Sequence, residues 1–125
     1  VKKVYGIEIN DGAIKDAEYN AKINNVKNVH FIKKDIKDFL SQGKLNIECP
    51  DTIILDPPRP GLHPSVVNEI IKLGPNKIVY VSCNPSTQAR DVNLFGNNGY
   101  ETCDIQPIDM FPHTPHIESV VTLIK

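Results

Sequence analysis

Hydrophobic residues fall along this chain in short runs that alternate with stretches of helical spacing. Val4-Tyr5-Gly6-Ile7 closes on Glu8, and Ile14, Ala17 and Ala21 then recur at intervals of three and four, which predicts a strand, a turn and a helix. Asn10 or Asp11 is placed to cap that helix, and Asn24-Asn25 to stop it. Val29-His30-Phe31-Ile32 reads as the next strand, with Asp35 just beyond it, and Ile36, Phe39 and Leu40 as one or two helical turns before a Ser41-Gln42-Gly43-Lys44 loop. Thr52-Ile53-Ile54-Leu55 is a four-residue run bounded by Asp51 and Asp56-Pro57-Pro58, the pattern of a buried parallel strand.

The second half continues the alternation. Arg59-Pro60-Gly61-Leu62 has two prolines and no helical path, and Gly61 permits a positive φ. Pro64 or Ser65 starts a helix bearing Val66, Val67, Ile70 and Ile71, which Gly74-Pro75 ends. Ile78-Val79-Tyr80-Val81 is a strand that runs through Ser82 into Cys83, and Asn84-Pro85 opens a helix with Ala89, Val92 and Phe95, ended by Gly96-Asn97-Asn98-Gly99. Tyr100 to Pro107 and Glu118 to Ile124 read as two strands joined by the loop from Asp109 to His116, hence an antiparallel pair. Strands alternating with helices and closing on such a pair predict an α/β sheet with helices on both faces. Ligands of such sheets bind beyond the carboxyl ends of the strands, where Glu8, Asp35, Asp56 and Cys83 all fall.

Composition narrows the class without naming a chemistry. A chain of 125 residues, 40% hydrophobic and 23% charged, is one domain at most. No apolar run approaches the roughly 20 residues that span a bilayer, and three cysteines form no disulfide framework, so a cytoplasmic protein is expected with no membrane partner. A formal net charge of −1 gives no electrostatic footprint for nucleic acid. Cys49 and Cys103 read as packing residues. His113 and His116 with Cys103 make a poor zinc set, because Cys103 lies inside a strand pattern and Pro115 breaks the spacing; no metal is expected.

Cys83 carries the sharpest chemistry. At a strand-to-helix junction, backbone N–H groups and the helix dipole favour an anion, and a thiol placed there serves as a nucleophile as readily as a small buried residue. An acid at the end of a second strand binds ribose hydroxyls in dinucleotide-type folds, about 20 residues after a glycine-rich loop. If Glu8 is that acid, the first strand and the loop lie before Val1, and the chain is expected to be a fragment.

Three motifs in order, Asp56-Pro57-Pro58-Arg59-Pro60-Gly61, Ser82-Cys83-Asn84-Pro85 and His116-Ile117-Glu118-Ser119-Val120-Val121, make the chain resemble the RNA uracil-5-methyltransferases. The resemblance implies a Rossmann-like class I methyltransferase sheet, mostly parallel with an antiparallel C-terminal strand and lacking the first strand and glycine-rich loop. Residues 1–125 would then be a partial catalytic domain, with negligible activity expected of this piece alone. It further implies S-adenosylmethionine as cofactor and methylation of C5 of a uridine in RNA through a Cys83–C6 adduct, with Glu118 as the base. Glu8 would accept from the cofactor ribose, Asp35 from the adenine amino group, and Asp56 from the methionine amine or the target base. Arg59 would contact phosphate or support its loop, and Phe111, His113 and His116 would line the entrance for an extruded base. The run from Ser82 to Asp91 and Met110-Phe111-Pro112-His113-Thr114 look more like the ribosomal-RNA branch than the transfer-RNA branch. Three rivals stand beside this reading. Asp-Pro-Pro also resembles the motif of amino-group methyltransferases, Cys83 with a histidine resembles a cysteine hydrolase lacking its elbow glycines, and a truncated domain need not be catalytic.

Overall fold

A computed structural model describes residues 1–41 and 49–125. The chain divides into two compact units, Val1–Leu45 and Asn46–Lys125. In the first, β1 (Val4–Glu8) and β2 (Val29–Lys33) pair in parallel, from Val4 opposite Val29 to Glu8 opposite Lys33. Helix α1 (Asp11–Ile23) connects them, and α2 (Ile36–Ser41) follows β2. The turn into α1 forms as its residues dictate: Asn10 is the N-cap, its side chain accepting from the N–H groups of Gly12 and Ala13 at 2.8 and 3.2 Å. Apart from Ser41, which ends α2, the predicted loop through Lys44 lies outside the described residues.

The second unit holds β3 (Thr52–Leu55), α3 (Pro64–Leu73), β4 (Lys77–Ser82), α4 (Pro85–Gly96), β5 (Glu101–Ile108) and β6 (Glu118–Ile124). Its sheet has the order β3-β4-β6-β5, with β3 and β4 parallel and β6 antiparallel to both neighbours. The expected antiparallel pair is therefore present, and the pattern-derived boundaries of its strands hold to within a residue. Pro64 sits at the start of α3, Pro85 at the start of α4, and Gly74 ends α3 in the left-handed region at φ 67°.

Successive steps from β3 to β4 to β5 run the same way along the sheet, so right-handed crossovers place α3 and α4 on one face of this unit. That face carries the core: Val66, Val67, Ile70, Ile78, Tyr80, Phe95, Val121 and Leu123 are buried. Burying each side chain of this size contributes on the order of 1.5–3 kcal/mol. One expectation changes at β3, predicted as buried. Leu55 is buried but Ile54 is 72% exposed, because β3 is an edge strand of its sheet and the described helices of this unit lie on the other face. The cysteine expectation also fails. Cys49 and Cys103 are exposed, Cys103 on a strand exposed along its whole length and at the register irregularity between Thr102 and Asp104. Among the described residues, no helix is long and apolar enough to cross a membrane.

Candidate active site

Helix α4 assembles the site in the second unit, because its residues fasten three other segments around Cys83. Strand β4 ends at Ser82, whose hydroxyl accepts from the Asn84 N–H at 3.0 Å and lies 3.1 Å from the Asn84 carbonyl, holding Cys83 in a tight turn between them. Asn84 is the N-cap of α4 and accepts from the Ser86 N–H at 3.1 Å. Cys83 is half-buried.

The register of β4 against β6 brings in the second candidate. The pairing runs from Lys77 opposite Ile124 to Ser82 opposite Ser119. One residue further outward on each strand stand Cys83 and Glu118. Glu118 is half-buried and is held from its other side by pairing with Ile108 of β5. Two residues 35 apart in sequence thus lie just beyond the last rung of one antiparallel ladder, on adjacent strands.

The loop from Asp56 to Leu62 is the third segment. Asn84 Nδ2 donates to the Arg59 carbonyl at 3.2 Å, and the Thr87 hydroxyl lies 3.0 Å from the same oxygen. Arg90 donates to the carbonyls of Pro60 and Leu62 at 3.0 and 3.1 Å. Asp91, fully buried, accepts from the Leu62 N–H at 2.8 Å, the Tyr80 hydroxyl at 2.7 Å and the Arg90 guanidinium at 2.8 Å. A buried carboxylate is tolerable only with such a set of donors. Burial, and then the bond to Asp91, push the Tyr80 hydroxyl well above the ordinary tyrosine range, so it stays a donor.

Gly61 makes this closure possible. It has φ 77°, and a Cβ there would lie 2.6 Å from Asp91 Oδ2 and 2.8 Å from the Arg90 guanidinium. Gly61→Ala combines a left-handed alanine with disruption of the Asp91 contacts, and is expected to destabilise by about 2–4 kcal/mol in denaturant unfolding. A change within about 0.5 kcal/mol, the scale of an ordinary surface substitution, would show that the loop is not clamped this way.

The remaining sequence candidates divide. Arg59 meets His116, guanidinium to Nδ1 at 2.8 Å, which joins the Asp-Pro-Pro loop to the loop before β6. A guanidinium has only donors, so His116 Nδ1 is the acceptor and its ring proton is on Nε2. Asp56 follows β3 directly and is exposed. Phe111 is 53% exposed and so is not a core residue; His113 is exposed too and holds a positive φ of 70°. In the first unit, Glu8 ends β1 and accepts from the Asn10 N–H at 2.7 Å. Asp35 caps α2, its Oδ1 accepting from Lys37 N–H at 2.8 Å. Beside Glu8, Lys15 and Lys33 each lie 2.7 Å from Asp11 and hold its carboxyl below the usual range.

Gln88, Arg90 and Asp91 are not singled out by the hydrophobic pattern, which points to Ala89, Val92 and Phe95 as the apolar positions of α4. The structure buries Gln88, Asp91 and Phe95, leaves Ala89 exposed and half-buries Val92. Their spacing of three and four is the available signal, but only the strand carbonyls and loop amides opposite them make it favourable to turn polar residues inward.

An RNA methyltransferase of Enterococcus faecalis, named as uncharacterized, is 50% identical over 124 residues, covering 99% of this chain and 27% of its own length. One of Bacteroides thetaiotaomicron is 51% identical over 123 residues, again 27% of its length. The chain therefore spans little more than a quarter of these relatives. Among solved structures, the Pyrococcus abyssi tRNA (uracil-54, C5)-methyltransferase in complex with S-adenosyl-L-homocysteine matches with TM-score 0.83 and 42% identity, over 98% of this chain and 29% of that one. NSun6 from Pyrococcus horikoshii, at TM-score 0.75 and 18% identity over 98% of this chain and 41% of that one, shares the fold alone. The profile of the tRNA (uracil-5-)-methyltransferase family matches residues 1–125, the whole chain, which belongs to that family.

Proposed function

We propose that the protein carrying this chain transfers a methyl group from S-adenosylmethionine to C5 of a uridine in RNA, through a covalent bond between Cys83 and C6 of the base. Residues 1–125 are on this reading part of one catalytic domain. The observation that carries it is the end of the β4–β6 ladder, where a thiol and a carboxylate stand on adjacent strands. The reaction needs that pair of groups and nothing more unusual from the protein.

Uracil C5 is a weak nucleophile. The Cys83 thiolate adds to C6, forming an S–C6 bond and moving the C5–C6 π pair onto C5 and the O4 carbonyl. When bound, S-adenosylmethionine would supply C5 with an electrophilic sulfonium methyl group, its sulfur retaining the bonding pair. Glu118 then takes the C5 proton, the C5–C6 double bond reforms, and the C6–S bond breaks to return the thiolate. Asp56 and Arg59 hold the base or its flanking phosphate from the clamped loop, and Phe111, His113 and His116 flank the entrance.

The acids of the first unit suit the cofactor by their donor chemistry. Ribose hydroxyls and an adenine amino group are hydrogen-bond donors, and carboxylates accept. Glu8 and Asp35 lie at the carboxyl ends of paired parallel strands. Each spends lone pairs on backbone N–H groups of its own turn, and a carboxylate has about four such sites, so capacity remains on both.

The residue runs that resemble the ribosomal-RNA branch support ribosomal RNA as the substrate, while the Pyrococcus abyssi relative, by its description, methylates tRNA. The test therefore uses both RNAs with the full-length chain and methyl-labelled S-adenosylmethionine, followed by nucleoside analysis. The expected product is 5-methyluridine. RNA containing 5-fluorouridine should trap a denaturant-stable adduct at Cys83, because fluorine at C5 cannot leave as a proton. Label in an exocyclic amino group, or no adduct, would overturn the reading.

A further inference from the structure

Gln88 is 3% exposed on the inner side of α4, and its side-chain amide reaches two strand carbonyls. Its Nε2 lies 2.8 Å from the Tyr80 carbonyl and 3.0 Å from the Ser119 carbonyl. Both partners only accept, so the amide orientation is set and each of its two N–H bonds goes to a different strand. Tyr80 lies on β4, three residues before Cys83. Ser119 lies on β6, immediately after Glu118. One planar amide thus spans the strand of the thiol, three positions behind Cys83, and the strand of the carboxylate, one position behind Glu118.

The place matters because the two strands part there. Their pairing stops at Ser82 and Ser119, after which β4 turns into α4 while β6 comes from the nine-residue connection 109–117. Strand ends fray unless something further restrains them. Filling the space would need only an apolar side chain, whereas a buried amide is costly without partners. We infer that Gln88 is a positioning residue that sets the spacing of Cys83 and Glu118, and through it the hand-over from adduct formation to proton removal; this rests on the covalent reading proposed above.

The two half-reactions respond differently to a loosened spacing. Adduct formation requires only Cys83 at C6. Its resolution requires the C5 hydrogen of that adduct to be presented to a carboxylate on the other strand. In the full-length enzyme, Gln88→Leu keeps the volume and removes both donors. It is expected to leave adduct formation with 5-fluorouridine RNA near the parental rate while kcat falls roughly 10- to 100-fold. With ordinary uridine RNA, the fraction of enzyme held as methylated adduct should rise severalfold on denaturing gels. Gln88→Glu adds a pH signature, since a carboxyl donates to a carbonyl only when protonated: its turnover relative to parental should fall as pH rises.

Competent enzyme is counted by titration with 5-fluorouridine RNA, so a lowered folded fraction does not imitate the effect, and Gln88→Met serves as a second donor-free variant. A parental adduct fraction and kcat per competent site in both donor-free variants would overturn the inference alone. Failure of the parental enzyme to form any adduct would remove the covalent reading and this inference together.

Discussion

Replacing Cys83 with alanine is expected to lower methyl transfer to uridine RNA by roughly 10⁴-fold or more, the scale on which removing a covalent nucleophile acts. The 5-fluorouridine adduct should disappear with it. The change removes one sulfur from a half-buried residue beyond the last rung of the β4–β6 ladder, so folding should be little affected. Circular dichroism and thermal unfolding of the full-length variant provide that control. Cys83→Ser should fail as well, because a hydroxyl in the same place lacks the nucleophilicity of a thiolate toward C6. The experiment also separates the rival chemistries. Amino-group methylation through Asp56-Pro57-Pro58 needs no cysteine, so full activity in Cys83→Ala would favour it. A cysteine hydrolase would lose its activity in the variant but would never have required S-adenosylmethionine.

How the thiol comes to be placed there was partly readable from local pattern. The run Ile78-Val79-Tyr80-Val81 followed by Asn84-Pro85 announces a strand, a turn and a capped helix, and each appears where the residues put it. Asn10 and Gly74 were legible for the same reason: caps depend on φ/ψ and on partners within a few residues. The placement of Cys83 and Glu118 just beyond the last rung of one ladder is of another kind. Two strands read correctly as an antiparallel pair, β5 and β6, do not disclose that β6 also inserts between β5 and β4, nor that its register stops at Ser119. That placement follows from long-range strand pairing, which no window of sequence contains.

Buried polar residues mark the same boundary more sharply. Asp91 and Gln88 look like solvent-facing helix positions until the Leu62 N–H, the Tyr80 hydroxyl and two strand carbonyls are placed opposite them. Their partners come from three other segments, and a helical wheel sees none of them. Cys103 fails in the opposite sense. Its place in a strand pattern suggests burial, but β5 is an edge strand exposed along its whole length. Periodicity identifies an element and its stripe; what covers the stripe depends on topology.

Glu118→Gln is expected to separate the two halves of the reaction. The amide keeps the shape of the carboxylate and its place at the start of β6, but it cannot take a proton from C5. Cys83 should still add to C6 and the methyl group should still be transferred, after which the base has no route off the enzyme. Turnover should therefore drop by roughly 10²- to 10⁴-fold, the usual contribution of a positioned general base. Unlike Cys83→Ala, this variant should accumulate a protein–RNA species with ordinary uridine, carrying one labelled methyl per adduct and dependent on S-adenosylmethionine. Denaturing gels with double label, on the RNA and on the methyl group, read both quantities in one lane. Slow transfer without any adduct would mean that Glu118 acts before the methyl moves and only helps to orient the base. Unimpaired turnover would assign the proton to another group, and the neighbours across the ladder end would then be only that.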